Sequence, residues 1–329
     1  MVVTLILRKA IPEYFSIENV FSIILQPLRK KISANVIHAP TNRAHPLAVL
    51  KNIRSLRKTQ ADVIHVTGDI HYAVFAFPSK KVVLTIHDSV FLRNTRGLSK
   101  FLMLWFWYKL PVWHARSIST ISEASKKDII KLTGCSPSKI TVIGNPVDPD
   151  FRYHPAPFNV IKPVILQIGT WTNKNLERVV EAIQTIPCQL VIIGKLSDEQ
   201  KQLIAASGID YSNSFFLSKE ALIQQYINCD MVVFVSLFEG FGLPVLEAQA
   251  TGRPLVTSAI SPMKEVAGKG AHLADPYDVD AIRAGIKKVI QDEQYRKQLI
   301  EEGLENVKRF NAEAIAEKYF ELYNRVVSG

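Results

Sequence analysis

The stretch Ser236-Leu237-Phe238-Glu239-Gly240-Phe241-Gly242-Leu243-Pro244-Val245-Leu246-Glu247-Ala248 decides how the chain is read. It follows the apolar run Met231-Val232-Val233-Phe234-Val235 and precedes a segment that Pro244 can open as a helix and Gly252 can close. A strand, a glycine loop and a helix N-terminus in that order set backbone amides and the positive end of a helix dipole side by side. Gly240 and Gly242 carry no Cβ to hold a ligand away, so the corner suits an anion of the diphosphate kind. Glu239 lies on the loop beside that anion site. Glu247 lies about a turn into the helix, where a carboxylate can accept from vicinal hydroxyls such as those of a ribose. Two glycines one residue apart are by themselves only a tight turn. With two glutamates seven residues apart and the right flanking elements, they point to nucleotide chemistry.

Working outward, short Val/Ile/Leu-rich runs recur between helical patterns. Strands are expected over residues 2–7, 35–38, 63–66, 82–87, 117–121 and 140–143, then over 164–168, 189–193, 214–217, 231–235 and 254–257. Continuous apolar strands interleaved with helices imply parallel sheets covered on both faces, and the pattern occurs twice. The Pro-rich segment 148–162 reads as the linker. A fold of class α/β follows, with two open domains whose strand carboxyl ends, where ligands bind, line a shared cleft. Residues 311–327 read as a terminal helix with Ile315, Tyr319, Leu322 and Tyr323 at helical spacing.

Composition sets the outer bounds. The 329 residues suffice for two domains with cores of their own, and 47% hydrophobic and 21% charged residues exclude a disordered or repetitive chain. Cys135, Cys188 and Cys229 are odd in number and widely spaced, which fits reduced thiols in a cytoplasmic protein and neither a disulfide framework nor a zinc site. The apolar start reads as a first buried strand, too short for a signal-peptide core. No segment reaches the roughly 18 apolar residues of a membrane span. Residues 1–158 carry 22 Lys+Arg against 9 Asp+Glu, whereas 159–329 carry 18 against 21. The basic half suits an anionic partner, be it membrane lipid, a phosphorylated acceptor or nucleic acid, and equally an ordinary soluble basic surface.

The Glu239–Glu247 segment resembles the E-x7-E signature of the retaining, family 4 type glycosyltransferases of GT-B fold. Further segments resemble that family in the expected order: Thr85-Ile86-His87-Asp88, Ser119 to Ser125, Val142-Ile143-Gly144-Asn145-Pro146-Val147-Asp148, Gly169 with Lys174-Asn175-Leu176, and Arg309-Phe310-Asn311. The resemblance implies two Rossmann-like domains facing across a cleft. The first is an acceptor-side domain over 1–158, with a helix over 312–329 packing back on it; the second is a nucleotide-sugar-binding domain over 159–311. It implies Glu239 against the donor sugar, Glu247 on the nucleotide ribose, and the backbone of Gly240, Phe241, Gly242 and Leu243 at the sugar hydroxyls and phosphates. Lys174 would be the point charge for the departing diphosphate. His87, at a strand's carboxyl end beside Asp88, would meet a sugar hydroxyl; His65 repeats that arrangement more weakly. Transfer of a hexosyl group from a GDP- or UDP-linked donor to a glycan or lipid-linked acceptor is implied, in surface polysaccharide synthesis and without a metal or other cofactor.

Two departures accompany the resemblance. The family's arginine near the glycine of the donor-site strand is replaced at the candidate positions, which hold Thr170 and Asn173; Arg178 and Lys195 are alternative cations for a donor-binding set of Gly169, Thr170 and Asn173. The glycine pair after the first strand is replaced by Arg8-Lys9-Ala10-Ile11-Pro12-Glu13-Tyr14-Phe15, where Arg8 and Lys9 suit a phosphate or are plain surface bases. Asp148-Pro149-Asp150 matches a D-x-D metal signature only in form. Phe101 to Tyr108, between Lys100 and Lys109, reads either as a buried helix or as one lying in an anionic membrane interface. Two rival functions are a hydrolase using the two glutamates as acid and base, and a non-catalytic membrane or nucleic-acid binding module. The second leaves the glutamate-glycine segment unexplained, and no nucleic-acid partner is expected.

Overall fold

The computed structural model describes residues 1–9, 16–43, 45–88 and 97–329. The chain forms two compact units, Met1–Pro146 with Ala312–Gly329, and Val147–Asn311. The boundary falls at 146/147 and not at 158/159, because the Pro-rich segment packs on the second unit. The Val147 amide donates to the Phe310 carbonyl (2.8 Å), the His154 amide to that of Thr251 (3.3 Å), and the Phe151 ring stands edge-on to Tyr226.

In the first unit β1 (Val2–Leu7), β2 (Ser33–His38), β3 (Val63–Val66), β4 (Val82–Ile86), β5 (Ser117–Thr120) and β6 (Ile140–Val142) form one sheet in the order β2-β1-β3-β4-β5-β6. All its pairings are parallel. Every residue of β3 and β4 is buried, as helices on both faces require. The terminal helix Ala312–Ser328 belongs to this unit. Its Tyr319 packs 5.9 Å from the Phe21 ring, and its Tyr323 hydroxyl lies 2.7 Å from His65 Nδ1. His65 Nε2 meets Thr85 Oγ1 at 2.6 Å, so both ring nitrogens are satisfied in a fully buried site. Burial pushes this histidine down to about 3, and it is a neutral core residue that ties the terminal helix to the sheet.

The aromatic stretch after Gly97 is a helix (Gly97–Met103), a π-helical segment (Leu104–Lys109) and a short helix (Leu110–His114). Tyr108 and Val112 face the core, whereas Leu98, Phe101, Phe106 and Trp113 are each half or more exposed. The segment is therefore neither a wholly buried helix nor a wholly exposed one. No helix among the described residues is long and apolar enough to cross a membrane.

The second unit orders β7 (Val164–Ile168), β8 (Gln189–Ile193), β9 (Asp210–Ser214), β10 (Met231–Phe234), β11 (Leu255–Ser258) and β12 (His272–Ala274) as β12-β11-β10-β7-β8-β9, again all parallel. The strand order reverses between β7 and β10, the topological switch point at which open α/β sheets bind ligands. The strand expected over 214–217 lies instead at Asp210–Ser214. As an edge strand paired only with β8 it carries polar, exposed residues that give no apolar signal, while Phe215 and Phe216 are exposed in the loop beyond it. β12, three residues at the other edge, was too short to read.

Candidate active site

Two loops leave the switch point, and specific contacts hold them together. β7 ends at Ile168, and Gly169 turns the chain at φ +87°. A Cβ on Gly169 would lie 2.8 Å from Lys174 Cγ, so only glycine lets the lysine stem cross this turn. Asn175, buried in the left-handed region at φ 62°, donates from Nδ2 to the carbonyls of Val235 (3.0 Å) and Pro276 (2.7 Å). Gln167 Nε2 donates to the Lys174 carbonyl (3.0 Å). The backbone under Lys174 is thus anchored on both sides. The Leu237 amide donates to the Asn173 carbonyl (2.8 Å), and Asn173 Nδ2 to the Phe238 carbonyl (3.1 Å), joining the β7 loop to the β10 loop.

Across that junction Lys174 Nζ lies 2.6 Å from Glu239 Oε1, which also accepts from Asn173 Nδ2 (3.3 Å). Both charged side chains are mostly buried, at 18% and 15% exposed, and the ammonium stands 4.9 Å from the Phe234 ring centroid. A partly desolvated ammonium and carboxylate in contact form a strong local dipole.

Gly242, at φ +102°, caps the helix Leu243–Ala250 with no side-chain acceptor, and Pro244 sits in the first turn. The strand, glycine loop and helix N-terminus read from the sequence are therefore present. Phe241 turns its ring into the unit against Phe310, 5.8 Å between centroids, while Gly240 and Leu243 are partly exposed. Glu247 Oε2 accepts from the Tyr226 hydroxyl at 2.6 Å. Burial pushes the Glu247 carboxyl up to about 7, against the opposing hydrogen bond from Tyr226; Asp148 adds to the rise and Lys174 opposes it.

The remaining expected residues are placed as follows. Thr170 is buried and its hydroxyl donates to the Lys195 carbonyl (2.7 Å), so this hydroxyl is engaged within the protein. Arg178 donates to Asn175 Oδ1 (2.9 Å) and its guanidinium lies 5.8 Å from the Tyr277 ring. Lys195, exposed just past the carboxyl end of β8, has no hydrogen-bond partner for its ammonium among the described residues. Asp148 and Asp150 both contact Lys219 Nζ, at 2.9 and 2.5 Å, so an ammonium sits between the carboxylates of the D-x-D. His87 follows β4 in the first unit, beyond its last residue Ile86. Its Nε2 is buried without a partner among the described residues, and burial pushes the ring down to about 4. Arg8 forms a two-pronged pair with Glu18 (2.7 and 3.2 Å) and reaches Asp69 (3.0 Å), which makes it more than a plain surface base. Residues 10–15 of the expected acceptor loop lie outside the described residues. Sequence reading missed Tyr226, because an aromatic residue on the inward face of a helix looks like any core residue.

Comparison with known proteins accords with the two-unit fold. Residues 12–151 match the family model Glycosyltransferase Family 4, and residues 154–306 match Glycosyl transferases group 1. The chain belongs to the family 4 type glycosyltransferases, which have the two-domain, Rossmann-like GT-B fold. Among its relatives, the O-antigen chain mannosyltransferase B of Escherichia coli is 31% identical over 224 residues, 60% of this chain and 58% of that protein. The serotype-specific mannosyltransferase WbdA of Escherichia coli is 27% identical over 75% of this chain but only 34% of its own length, so the chain spans between a third and three fifths of these two relatives. The MMP alpha-(1->4)-mannosyltransferase of Mycolicibacterium hassiacum is 26% identical over 83% of this chain and 72% of its own. The crystal structure of Anabaena HepE in complex with UDP and glucose shares the fold with a TM-score of 0.78 at 18% identity, covering 99% of this chain and 100% of that one.

Proposed function

We propose that the chain is a retaining glycosyltransferase that moves a hexosyl group from a GDP- or UDP-linked donor to a glycan or glycolipid acceptor in surface polysaccharide synthesis. The observation that carries this reading is the Lys174–Glu239 contact at the switch point, beside a glycine-capped helix N-terminus with Glu247 on its next turn. The names of the three relatives favour mannose as the hexose.

In this reading the donor diphosphate lies at the start of the helix Leu243–Ala250, its charge met by Lys174 and the helix amides, with no metal ion required. Glu247 accepts from the ribose hydroxyls, and Glu239 orients the sugar while holding Lys174 in place. The bond between the anomeric carbon and the phosphate oxygen breaks first. The acceptor oxygen then bonds to that carbon on the same face, and its proton passes to the departing phosphate oxygen. His87, neutral and with no partner for its Nε2 among the described residues, is read as a hydrogen-bonding group for a sugar hydroxyl. The exposed Leu98, Phe101, Phe106 and Trp113, with Lys100 and Lys109 close in sequence, are read as a peripheral contact with anionic membrane.

The test is product stereochemistry. Purified protein is incubated with GDP-mannose or UDP-glucose and a mannose-terminated glycan, and the new anomeric centre is assigned by NMR. An α-linked product from these α-linked donors is expected. A β-linked product would refute retention, and no transfer from either donor to glycan or glycolipid acceptors would refute the reading as a whole.

A further inference from the structure

Glu247 and Glu239, the two glutamates of the site, are held in opposite ways. Glu239 Oε1 contacts a cation, Lys174, whereas Glu247 Oε2 accepts from a neutral hydroxyl, that of Tyr226. The Tyr226 side chain is 0% exposed, its ring is edge-on to Phe151 at 5.4 Å, and it lies on the helix Lys219–Asn228. The end of that helix is fixed from outside: Arg253 donates from Nε to the Tyr226 carbonyl (2.8 Å) and from its NH2 to the Ile227 carbonyl (2.8 Å). The phenol is therefore a rigid donor at one carboxylate oxygen. The other, Glu247 Oε1, has no hydrogen-bond partner among the described residues.

We infer that Tyr226 is a positioning residue for donor recognition: its hydroxyl fixes the rotation of the Glu247 carboxylate so that Oε1 is presented to the ribose diol. The inference rests on the reading of Glu247 as the ribose acceptor given above. Two physical consequences follow. A carboxylate restrained before binding loses less rotational freedom when the diol arrives, so affinity rises without any contact between Tyr226 and the ligand. A donor hydrogen bond also favours the ionised form against burial, keeping the carboxylate charged at a lower pH than it would be alone. The other charged groups acting on Glu247 are Asp148, which disfavours ionisation, and Lys174, which favours it.

The test uses the full chain and measures binding of UDP and GDP, and of their 2′-deoxy forms, by calorimetry from pH 5.5 to 8.5. For wild type, ribonucleotide affinity is expected to rise with pH through about 7, as Glu247 ionises. Tyr226→Phe, which removes one oxygen, is expected to bind the ribonucleotide about tenfold or more weakly, the scale of a lost hydrogen bond to a charged group. It should also discriminate less between ribose and 2′-deoxyribose, and its pH midpoint should move upward. Tyr226→Phe placed in a Glu247→Gln background separates positioning from general damage. If the tyrosine acts through Glu247 it adds little to the loss already caused by Glu247→Gln, whereas additive losses would show a merely structural role. Unchanged affinity and midpoint in Tyr226→Phe would overturn the inference while leaving the donor site intact. A wild-type chain that binds neither nucleotide would remove the donor reading and this inference with it.

Discussion

At the residue scale, the candidate site of the second unit holds one ammonium and two carboxylates in different environments. Lys174 is held by Gly169, Gln167 and Asn175 from below and meets Glu239 above; in the proposed reaction it offers a fixed positive charge where negative charge develops on a leaving diphosphate. Replacing Lys174 with Ala is expected to lower turnover by a factor of about 10²–10³, in line with loss of one preorganised electrostatic donor; turnover within threefold of wild type would remove Lys174 from the mechanism. Glu247 gives a second expectation, on stability. Its carboxyl is raised by burial from the ordinary 4.5 to about 7, so the folded chain holds a proton that the unfolded chain releases. The stability contributed by that proton is complete below about pH 4.5 and is lost as pH rises through about 7, a change on the order of 2–4 kcal/mol from the size of the shift. Against a Glu247→Gln reference, the wild-type melting temperature should therefore fall between pH 4.5 and 8. Parallel curves for the two proteins would show that Glu247 ionises as an ordinary carboxylate.

At the element scale, the site is a product of loop geometry at the switch point between β7 and β10. Gly169→Ala places a Cβ against Lys174 Cγ at a φ of +87°, and is expected to destabilise the fold by about 1–3 kcal/mol while displacing the lysine. Thermal melting and turnover together check this, and an unaltered pair of values would mean that the Gly169 turn does not position Lys174. The strand–glycine loop–helix unit was legible in the sequence because its signals are local: an apolar run, two glycines, a proline in the first helical turn. Lys174, Glu239 and Glu247 were legible by resemblance, and their contacts were not. The Asn173 and Asn175 hydrogen bonds that bring the β7 and β10 loops together join residues some 60 positions apart, and no local pattern records them. Tyr226 escaped for a related reason, since a buried tyrosine is identified as a positioning group only by what its hydroxyl touches. The polar edge strand β9 escaped because an exposed edge does not require apolar residues.

At the scale of the whole molecule, the charge asymmetry follows the structural division. Met1–Pro146 with Ala312–Gly329 holds 23 Lys+Arg and 10 Asp+Glu, while Val147–Asn311 holds 17 and 20. The exposed aromatic face of residues 98–113 lies on the basic unit. The chain is therefore expected to sediment with phosphatidylglycerol-containing vesicles at low salt, to release as salt rises, and to bind less when Phe101 and Phe106 are replaced by Ser. Equal recovery with neutral vesicles, or none with anionic ones, would contradict that partner. The central claim, a nucleotide-sugar site at the switch point of the second unit, is tested most directly by the melting temperature of the purified chain in the presence of UDP, GDP and ADP, with Lys174→Ala as control. A ligand that binds only the folded state raises the melting temperature, by an amount set by its concentration relative to Kd. A rise with UDP or GDP that is lost in Lys174→Ala is expected; no rise with any nucleotide, or an equal rise in the variant, would contradict a nucleotide-sugar site there.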